Sequence, residues 1–99
     1  MLRKGKKIYL ACGSTDMRKN SSSLSAIVSE SIKLDPFDDA LFVFCNNQRN
    51  ILKILEWDGD GFWLHTKKLE KGRFQWPNRV GGTLLASKFK RREILNPGA

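Results

Sequence analysis

The sequence predicts an α+β fold: a single two-layer domain in which one amphipathic helix packs on an antiparallel meander sheet of about four to five strands. Three observations support this prediction. The chain has 99 residues, which is the size of one domain. Short apolar runs alternate with turn residues along much of the chain, as is typical of strands. One segment after the first apolar run has the spacing of a helix instead.

The first strand is predicted at residues 8–12, an apolar run that ends at Gly13. The helix follows from about residue 22. Its core-facing positions, three or four residues apart, are Leu24, Ile27, Val28, Ser31 and Ile32. The serines before Leu24 are expected to cap the first turn, because a serine oxygen accepts a free backbone N–H. Asp35 stops the helix, since a residue that precedes proline is kept out of the α region.

Four further apolar runs predict the meander. They lie at residues 40–45, 51–57, 62–70 and 74–76. The turns between them are short, which favours antiparallel pairing. Residues 83–95 have helical spacing and predict a possible short C-terminal helix. The expected organisation is one domain over residues 1–99, with its core at about residues 8–77 and a basic C-terminal tail at residues 78–99.

The formal net charge is +8, and the cations are concentrated at both ends of the chain. Residues 1–19 carry a net charge of +5, residues 20–60 carry −4, and residues 61–99 carry +7. This distribution suits a polyanionic partner such as nucleic acid. The alternative is a small basic protein whose charge serves no specific partner.

No apolar run approaches the roughly 18–20 residues that a membrane span needs. The apolar stretch after the basic N-terminus is also too short for a signal peptide, so the expected location is the cytoplasm. Cys12 and Cys45 are predicted to be buried thiols in that reducing compartment. With His65 as its only histidine and no paired cysteines, the sequence offers no zinc site.

Three aspartates raise the question of a metal-dependent nuclease, which holds Mg²⁺ with two or three carboxylates. They are Asp16, Asp58 and Asp60. A tight hairpin turn needs the residue types of "DGDG" for backbone reasons alone, however. His65 alternates with its neighbours along a strand and is expected to be a sheet residue. The preferred interpretation therefore assigns no catalytic residue, no metal and no cofactor.

Six cations are the residues expected to bind DNA. They are Arg18, Lys19, Lys67, Lys68, Lys71 and Arg73. Such side chains neutralise phosphates, and nearby aromatic side chains can stack on bases. Because Lys67 and Lys68 point to opposite faces of a strand, not all six cations can share one sheet face. An N-terminal arm at residues 3–7 and a basic cluster at residues 88–92 are candidates to extend this surface.

Several motifs in a fixed order resemble those of one bacterial family. They are "TDMRK" at residues 15–19, "DPF" at 35–37, "LFVF" at 41–44, "WDGDGF" at 57–62 and "KKLEKGRFQWP" at 67–77. Over about residues 8–77 the chain resembles the TnpB-type (Orf2-like) accessory protein of bacterial insertion sequences of family sixty-six. After Pro77 the chain is basic, unlike the acidic, leucine-rich tail usual in that family.

The resemblance implies a non-catalytic protein that assists transposition, the DNA recombination of a mobile element. Such proteins are encoded beside a separate transposase that has its own acidic catalytic residues. The expected partners are therefore DNA, at the transposon ends or the target, together with the transposase and the element's other accessory protein. Two alternatives stay open: a protein–protein adaptor of the transposase that does not bind DNA, and the Mg²⁺-dependent nuclease.

Overall fold

The structure is a computed structural model that describes residues 7–77 and the backbone of residues 83–85. A five-stranded sheet in the order β4-β3-β2-β1-β5 packs against one helical segment. The strands are β1 (Lys7–Ala11), β2 (Ala40–Cys45), β3 (Ile51–Trp57), β4 (Phe62–Lys68) and β5 (Thr83–Leu85). The α+β class and the packing of a helix on a sheet agree with the prediction.

The helical segment consists of α1 (Ser21–Ala26) followed by a π-helical turn (Ile27–Ser31). Leu24 and Val28 are fully buried, as their spacing predicts. The N-cap is Asn20 rather than a serine, because the Asn20 Oδ1 accepts the Ser23 N–H at 2.9 Å. Among the described residues no helix is long and apolar enough to cross a membrane.

The sheet is mixed, so the prediction of a purely antiparallel meander is wrong for β1. β1 and β2 pair in parallel, with Lys7 opposite Ala40 and Leu10 opposite Val43. The helical segment between them carries the chain back along the sheet, so both strands run in the same direction. Short turns determine the pairing of only β2, β3 and β4, which are antiparallel as predicted.

Residues 73–77 do not form the predicted last strand of the meander. Phe74 turns inward and is buried, while its N–H donates to the Arg49 carbonyl at 2.7 Å. The predicted C-terminal helix is wrong at its start, since Thr83–Leu85 is β5 and pairs antiparallel with β1. A short apolar run fits a strand as well as a helical turn, and periodicity alone does not separate the two. The rest of that helix lies outside the described residues.

Both faces of the sheet are covered. The helical segment covers one face, whose buried side chains include Leu24, Val28, Phe42, Phe44 and Leu55. The chain after β4 covers the other face, whose buried side chains include Leu10, Val43, Leu52, Ile54 and Phe74. β2 is consequently buried along its whole length, as its continuous apolar run predicts.

The ends of the strands form two opposite rims. At the carboxyl rim β1 and β2 end, β3 begins and β4 ends, because Cys45 lies opposite Leu52 and Ile51 lies opposite Lys68. At the amino rim β1 and β2 begin, β3 ends and β4 begins. Strands of this length separate the two rims by roughly 20 Å.

Candidate nucleic-acid interface

All six cations assigned to DNA binding from the sequence lie at or beside the carboxyl rim. Arg18 and Lys19 follow β1, Lys67 and Lys68 end β4, and Lys71 and Arg73 lie in the segment after β4. The turn between β2 and β3 adds Arg49 at the same rim. Two carboxylates, those of Asp16 and Glu70, accompany these seven cations within the described part of the chain.

The segment after β4 runs across the carboxyl rim and returns to β1. At its start the Leu69 N–H donates to the Asn50 carbonyl at 2.8 Å. At its end the Pro77 carbonyl accepts the Gly13 N–H at 3.0 Å. The two exposed cations of this segment therefore belong to a loop that is attached to the sheet at both ends.

The six cations share a rim but not a face of the sheet. The register places Lys68 on the helix-covered face and Lys67 on the opposite face, as alternation along the strand predicts. Lys19 lies on the helix side, where its carbonyl oxygen accepts the Lys53 Nζ at 3.0 Å. A polyanion that contacts all six cations therefore has to lie along the rim rather than flat on either face.

Arg18 is held by Asp16 in an exposed ion pair. The Arg18 Nε donates to the two carboxylate oxygens at 3.0 and 3.1 Å, and one terminal nitrogen donates at 2.7 Å. These bonds hold the pKa of Asp16 well below its usual range and raise the pKa of Arg18. Because the pair is exposed, it adds little to stability. Its main effect is that the carboxylate offsets the charge that Arg18 offers to a phosphate.

A cleft of about 280 Å³ opens at the carboxyl rim beside the ends of β1 and β2. It is lined by Gly13, Ser14, Asn46, Asn47, Arg49 and Trp76. Asn46 orders its wall, because the Asn46 Oδ1 accepts the N–H groups of Asn50 and Ile51 at 2.9 and 3.0 Å. The carboxyl ends of parallel strands are where open α/β sheets place ligands.

A second cleft, of about 330 Å³, lies between the loop after β1 and the helical segment. Ser14, Asp16 and Lys19 line it on the loop side, and Ile27 and Ile32 line it on the helix side. It shares Ser14 with the first cleft, so the two open side by side at the carboxyl rim.

The amino rim is acidic. Its carboxylates are those of Asp35, Asp38, Asp39, Asp58 and Asp60. Hydrogen bonds from Asp60 and from the Trp63 indole lower the pKa of Asp58. The hydrogen bond with Asp58 and the charge of that carboxylate raise the pKa of Asp60.

This arrangement separates the three aspartates of the nuclease alternative. Asp58 and Asp60 lie at the amino rim, whereas Asp16 follows β1 at the carboxyl rim, roughly 20 Å away. Residues 7–77 also contain no group of three histidine, cysteine, aspartate or glutamate side chains that could hold a metal ion. The aspartates therefore do not converge on a common ion.

Three aromatic rings pack together at the amino rim. The ring centroid of Phe37 lies 4.8 Å from that of Trp57 and 5.5 Å from that of Phe62. Phe37 nevertheless remains 57% exposed. Its N–H donates to the Asp35 Oδ1 at 2.9 Å, which orders the loop that presents the ring. The rim thus combines an exposed apolar surface with several carboxylates.

His65 and the two cysteines lie within or beside the packed sheet. The His65 Nε2 is 3.1 Å from the Glu56 Oε1, and Glu56 is 4% exposed. Cys12 and Cys45 are buried free thiols, as predicted. Burial raises the pKa of Cys45 to about 11, so its thiol stays protonated at neutral pH.

The sequence analysis did not identify Arg49 or the cleft that it lines. Arg49 stands in the acidic middle of the chain, where one cation has no compositional signal. The asparagine-rich turn after a buried strand was the available signal. It becomes informative only once β1 and β2 are known to be parallel, because that pairing defines the rim where ligands bind.

Comparison with known proteins agrees with the motifs. The family model of the IS66 Orf2 like protein matches residues 6–94. The uncharacterized protein y4hO of Sinorhizobium fredii (strain NBRC 101917 / NGR234) is 43% identical over 81 residues, which are 82% of this chain and 70% of that protein. The uncharacterized protein y4jC of the same strain is 35% identical over 84 residues, which are 85% of this chain and 72% of that protein.

No solved structure matches the chain. The family match extends beyond the motifs at residues 15–77 and includes much of the basic segment that follows them. The resemblance drawn from the motifs is confirmed, and the chain belongs to the family of IS66 Orf2-like proteins, which is associated with insertion sequences.

Proposed function

We propose that this protein is a non-catalytic accessory factor of insertion-sequence transposition that binds DNA along its carboxyl rim and acts with a separate transposase. Family membership supports the insertion-sequence role. The observation that carries the DNA-binding role is the set of seven cations at one rim of the sheet. They are Arg18, Lys19, Arg49, Lys67, Lys68, Lys71 and Arg73.

The dimensions of the rim suit a phosphate backbone. β1 to β4 are adjacent, so the rim extends roughly 14 Å across them. Duplex DNA carries one charge per ~1.7 Å of axis, so that length presents roughly eight phosphates from the two strands. The acidic amino rim lies at the other end of the molecule and orients the carboxyl rim toward a polyanion.

The test is a fluorescence titration with duplex and single-stranded DNA at two salt concentrations. Affinity for the duplex is expected to fall with salt, with a log–log slope of about 0.9 for each phosphate neutralised. A triple variant, K67A/K71A/R73A, is expected to reduce this slope by roughly 2 to 3. The structure places Lys7, the last residue of the N-terminal arm considered above, at the amino rim rather than the carboxyl rim. Lys7→Ala is therefore the control for loss of an exposed cation elsewhere and is expected to leave the slope unchanged. Binding that is independent of salt, or absent at low salt, contradicts the proposal.

A second candidate function is a protein–protein adaptor of the transposase that does not bind DNA. The aromatic cluster at the amino rim favours it, because Phe37 exposes an apolar ring beside several aspartates. Such a surface suits a basic segment of a partner protein, through opposite charge and through contact of a cation with an aromatic ring.

Co-purification of the two proteins after nuclease treatment tests the adaptor function. Phe37→Ala is expected to reduce recovery of the transposase, whereas Lys71→Ala at the other rim leaves it unchanged. The same preparation shows whether the element's other accessory protein joins the complex. If nuclease treatment abolishes recovery of the transposase, DNA bridges the two proteins, and this result contradicts the adaptor function.

A further inference from the structure

The first cleft at the carboxyl rim has features that a general phosphate-binding surface does not need. It lies beside the ends of the parallel pair β1 and β2, and residues from three separate parts of the chain line it. Its volume of about 280 Å³ is close to the lower end of ordinary small-ligand sites. A duplex does not enter a space of this size, whereas a single nucleotide is of the right scale.

Arg49 is held in a conformation that arginine rarely adopts. Its φ is 59°, in the left-handed region that favours glycine. The Arg49 N–H donates to the Asn46 carbonyl at 3.1 Å, and the Arg49 carbonyl accepts the Phe74 N–H at 2.7 Å. Among the described residues its guanidinium makes no hydrogen bond or ion pair. A strained residue with an unpaired charge at a cleft is the pattern expected of a ligand-binding group.

Trp76 supplies a fixed aromatic surface to the same cleft. Its indole N–H donates to the Ala11 carbonyl at 3.0 Å, and its side chain packs against the cluster on the face away from the helix. The residue is only partly buried. Because the ring is already ordered, a base can stack on it without a further loss of side-chain freedom.

We propose that this cleft binds one unpaired nucleotide of DNA, with its phosphate on the Arg49 guanidinium and its base against the Trp76 ring. The exposed Ser14 and Asn47, which also line the cleft, supply a hydroxyl and an amide for the sugar and the base edge. This inference rests on the proposed function, since it names the form of DNA that the carboxyl rim prefers. That form has an unpaired or extruded nucleotide rather than a continuous duplex.

The first experiment compares a blunt duplex with the same duplex carrying a short single-stranded extension, by fluorescence anisotropy on the full chain. The extension is expected to raise affinity about tenfold, a gain within the usual range for one stacked base. Arg49→Gly is expected to abolish this gain, and glycine keeps the left-handed backbone without strain. Arg73→Ala also removes one cation from the rim but leaves the cleft intact. It is expected to weaken both DNAs equally and to retain the gain.

The second experiment uses thymidine 5′-monophosphate alone and follows the backbone amide and indole signals by NMR. The nucleotide is expected to shift the signals of Gly13, Asn47 and the Trp76 indole in the wild type, and not in Arg49→Gly. The spectrum of the variant also shows whether it is folded.

The two experiments separate failure of this inference from failure of the proposed function. Equal affinity for both DNAs, together with no signal shifts from the nucleotide, overturns this inference. If duplex binding still depends on salt, the proposed function stands. Absence of all DNA binding at low salt, with the nucleotide shifts intact, overturns the proposed function and keeps the cleft as a nucleotide site.

Discussion

The indole N–H of Trp76 donates to the carbonyl oxygen of Ala11 at 3.0 Å, which joins the end of β1 to a residue 65 positions later in the chain. The Gly13 N–H, which donates to the Pro77 carbonyl at 3.0 Å, belongs to the same junction. Together these bonds attach the segment after β4 to the far side of the sheet. The junction also brings an aromatic side chain into the wall of the first cleft.

Trp76→Phe is expected to destabilise the fold by roughly 1–2 kcal/mol, because the Ala11 carbonyl loses its donor while an aromatic ring is retained. Urea unfolding followed by circular dichroism measures the change. Gln75→Ala, at an exposed neighbouring position, is expected to stay within about 0.5 kcal/mol of the wild type. Equal stability of Trp76→Phe and the wild type contradicts a structural role for this bond.

Gly72 provides a second test of the loop that carries Lys71 and Arg73. Its φ is 78°, and a Cβ built there meets no atom within 4 Å, so Gly72→Ala tests the backbone alone. We expect a loss of roughly 1–2 kcal/mol in the free energy of unfolding. Gly61→Ala is the matched control, since Gly61 is equally open and has no left-handed φ. That variant is expected to be neutral or up to about 1 kcal/mol more stable. Similar losses in both variants argue against backbone strain as the cause.

Local patterns were sufficient for those parts of the fold in which neighbours in sequence are neighbours in space. The meander β2 to β4 has short turns, and the helical segment has a clear apolar face, so both follow from periodicity. The direction of β1 depends on its pairing across a helix, which periodicity does not encode. The continuous apolar run of β2 was the indirect sign in the sequence, because such a run is typical of a strand covered on both faces, and β2 is buried along its whole length.

The candidate site was predictable in its charges but not in its geometry. Arg18 and Lys67 are far apart in sequence, and only the folded sheet brings them to one rim. The fold likewise gathers aspartates from the acidic middle of the sequence at the amino rim, because the chain passes this rim near residues 32–39 and 58–61. Arg49 belongs to that acidic stretch yet lies at the basic rim. Its position therefore follows from topology rather than composition.

Asp16→Asn is expected to strengthen DNA binding, because it removes the carboxylate that holds the Arg18 guanidinium. Freeing one cation for a phosphate is expected to raise the salt slope by about 0.9. Anisotropy titrations at several salt concentrations measure both the affinity and the slope. Asp38→Asn removes the same charge from the amino rim and is the control. An unchanged slope in Asp16→Asn indicates that Arg18 does not contact DNA.

The ion pair between Asp16 and Arg18 also predicts a pH dependence. The hydrogen bonds from Arg18 depress the pKa of Asp16 in the folded state below the unfolded value of 3.8. The small contribution of the pair to the free energy of unfolding is therefore present above about pH 4. It is lost as the pH falls through the depressed pKa of Asp16. An NMR titration of the Asp16 carboxyl measures this value. In Arg18→Ala the pKa is expected to return toward 3.8, and no change would mean that Arg18 is not the cause.

Asp58→Ala is expected to leave DNA binding unchanged. In the presence of Mg²⁺, neither the wild type nor the variant is expected to cleave DNA. Two-metal nucleases hold their ions about 3.5–4 Å apart, whereas Asp58 and Asp16 lie at opposite rims, roughly 20 Å apart. Incubation of wild type and variant with supercoiled plasmid and MgCl₂, analysed on a gel, measures cleavage. Asp60→Ala serves as the companion variant from the same turn.

The expected effect of Asp58→Ala is on the turn itself, since the indole N–H of Trp63 donates to the Asp58 carboxylate. Because this bond is exposed, its loss is expected to shift the urea unfolding midpoint only slightly toward lower urea. Cleavage by the wild type that disappears in Asp58→Ala, with an unchanged unfolding curve, would identify this turn as a metal site. The basic rim would then deliver DNA to a nuclease, and the accessory role without catalysis would be wrong.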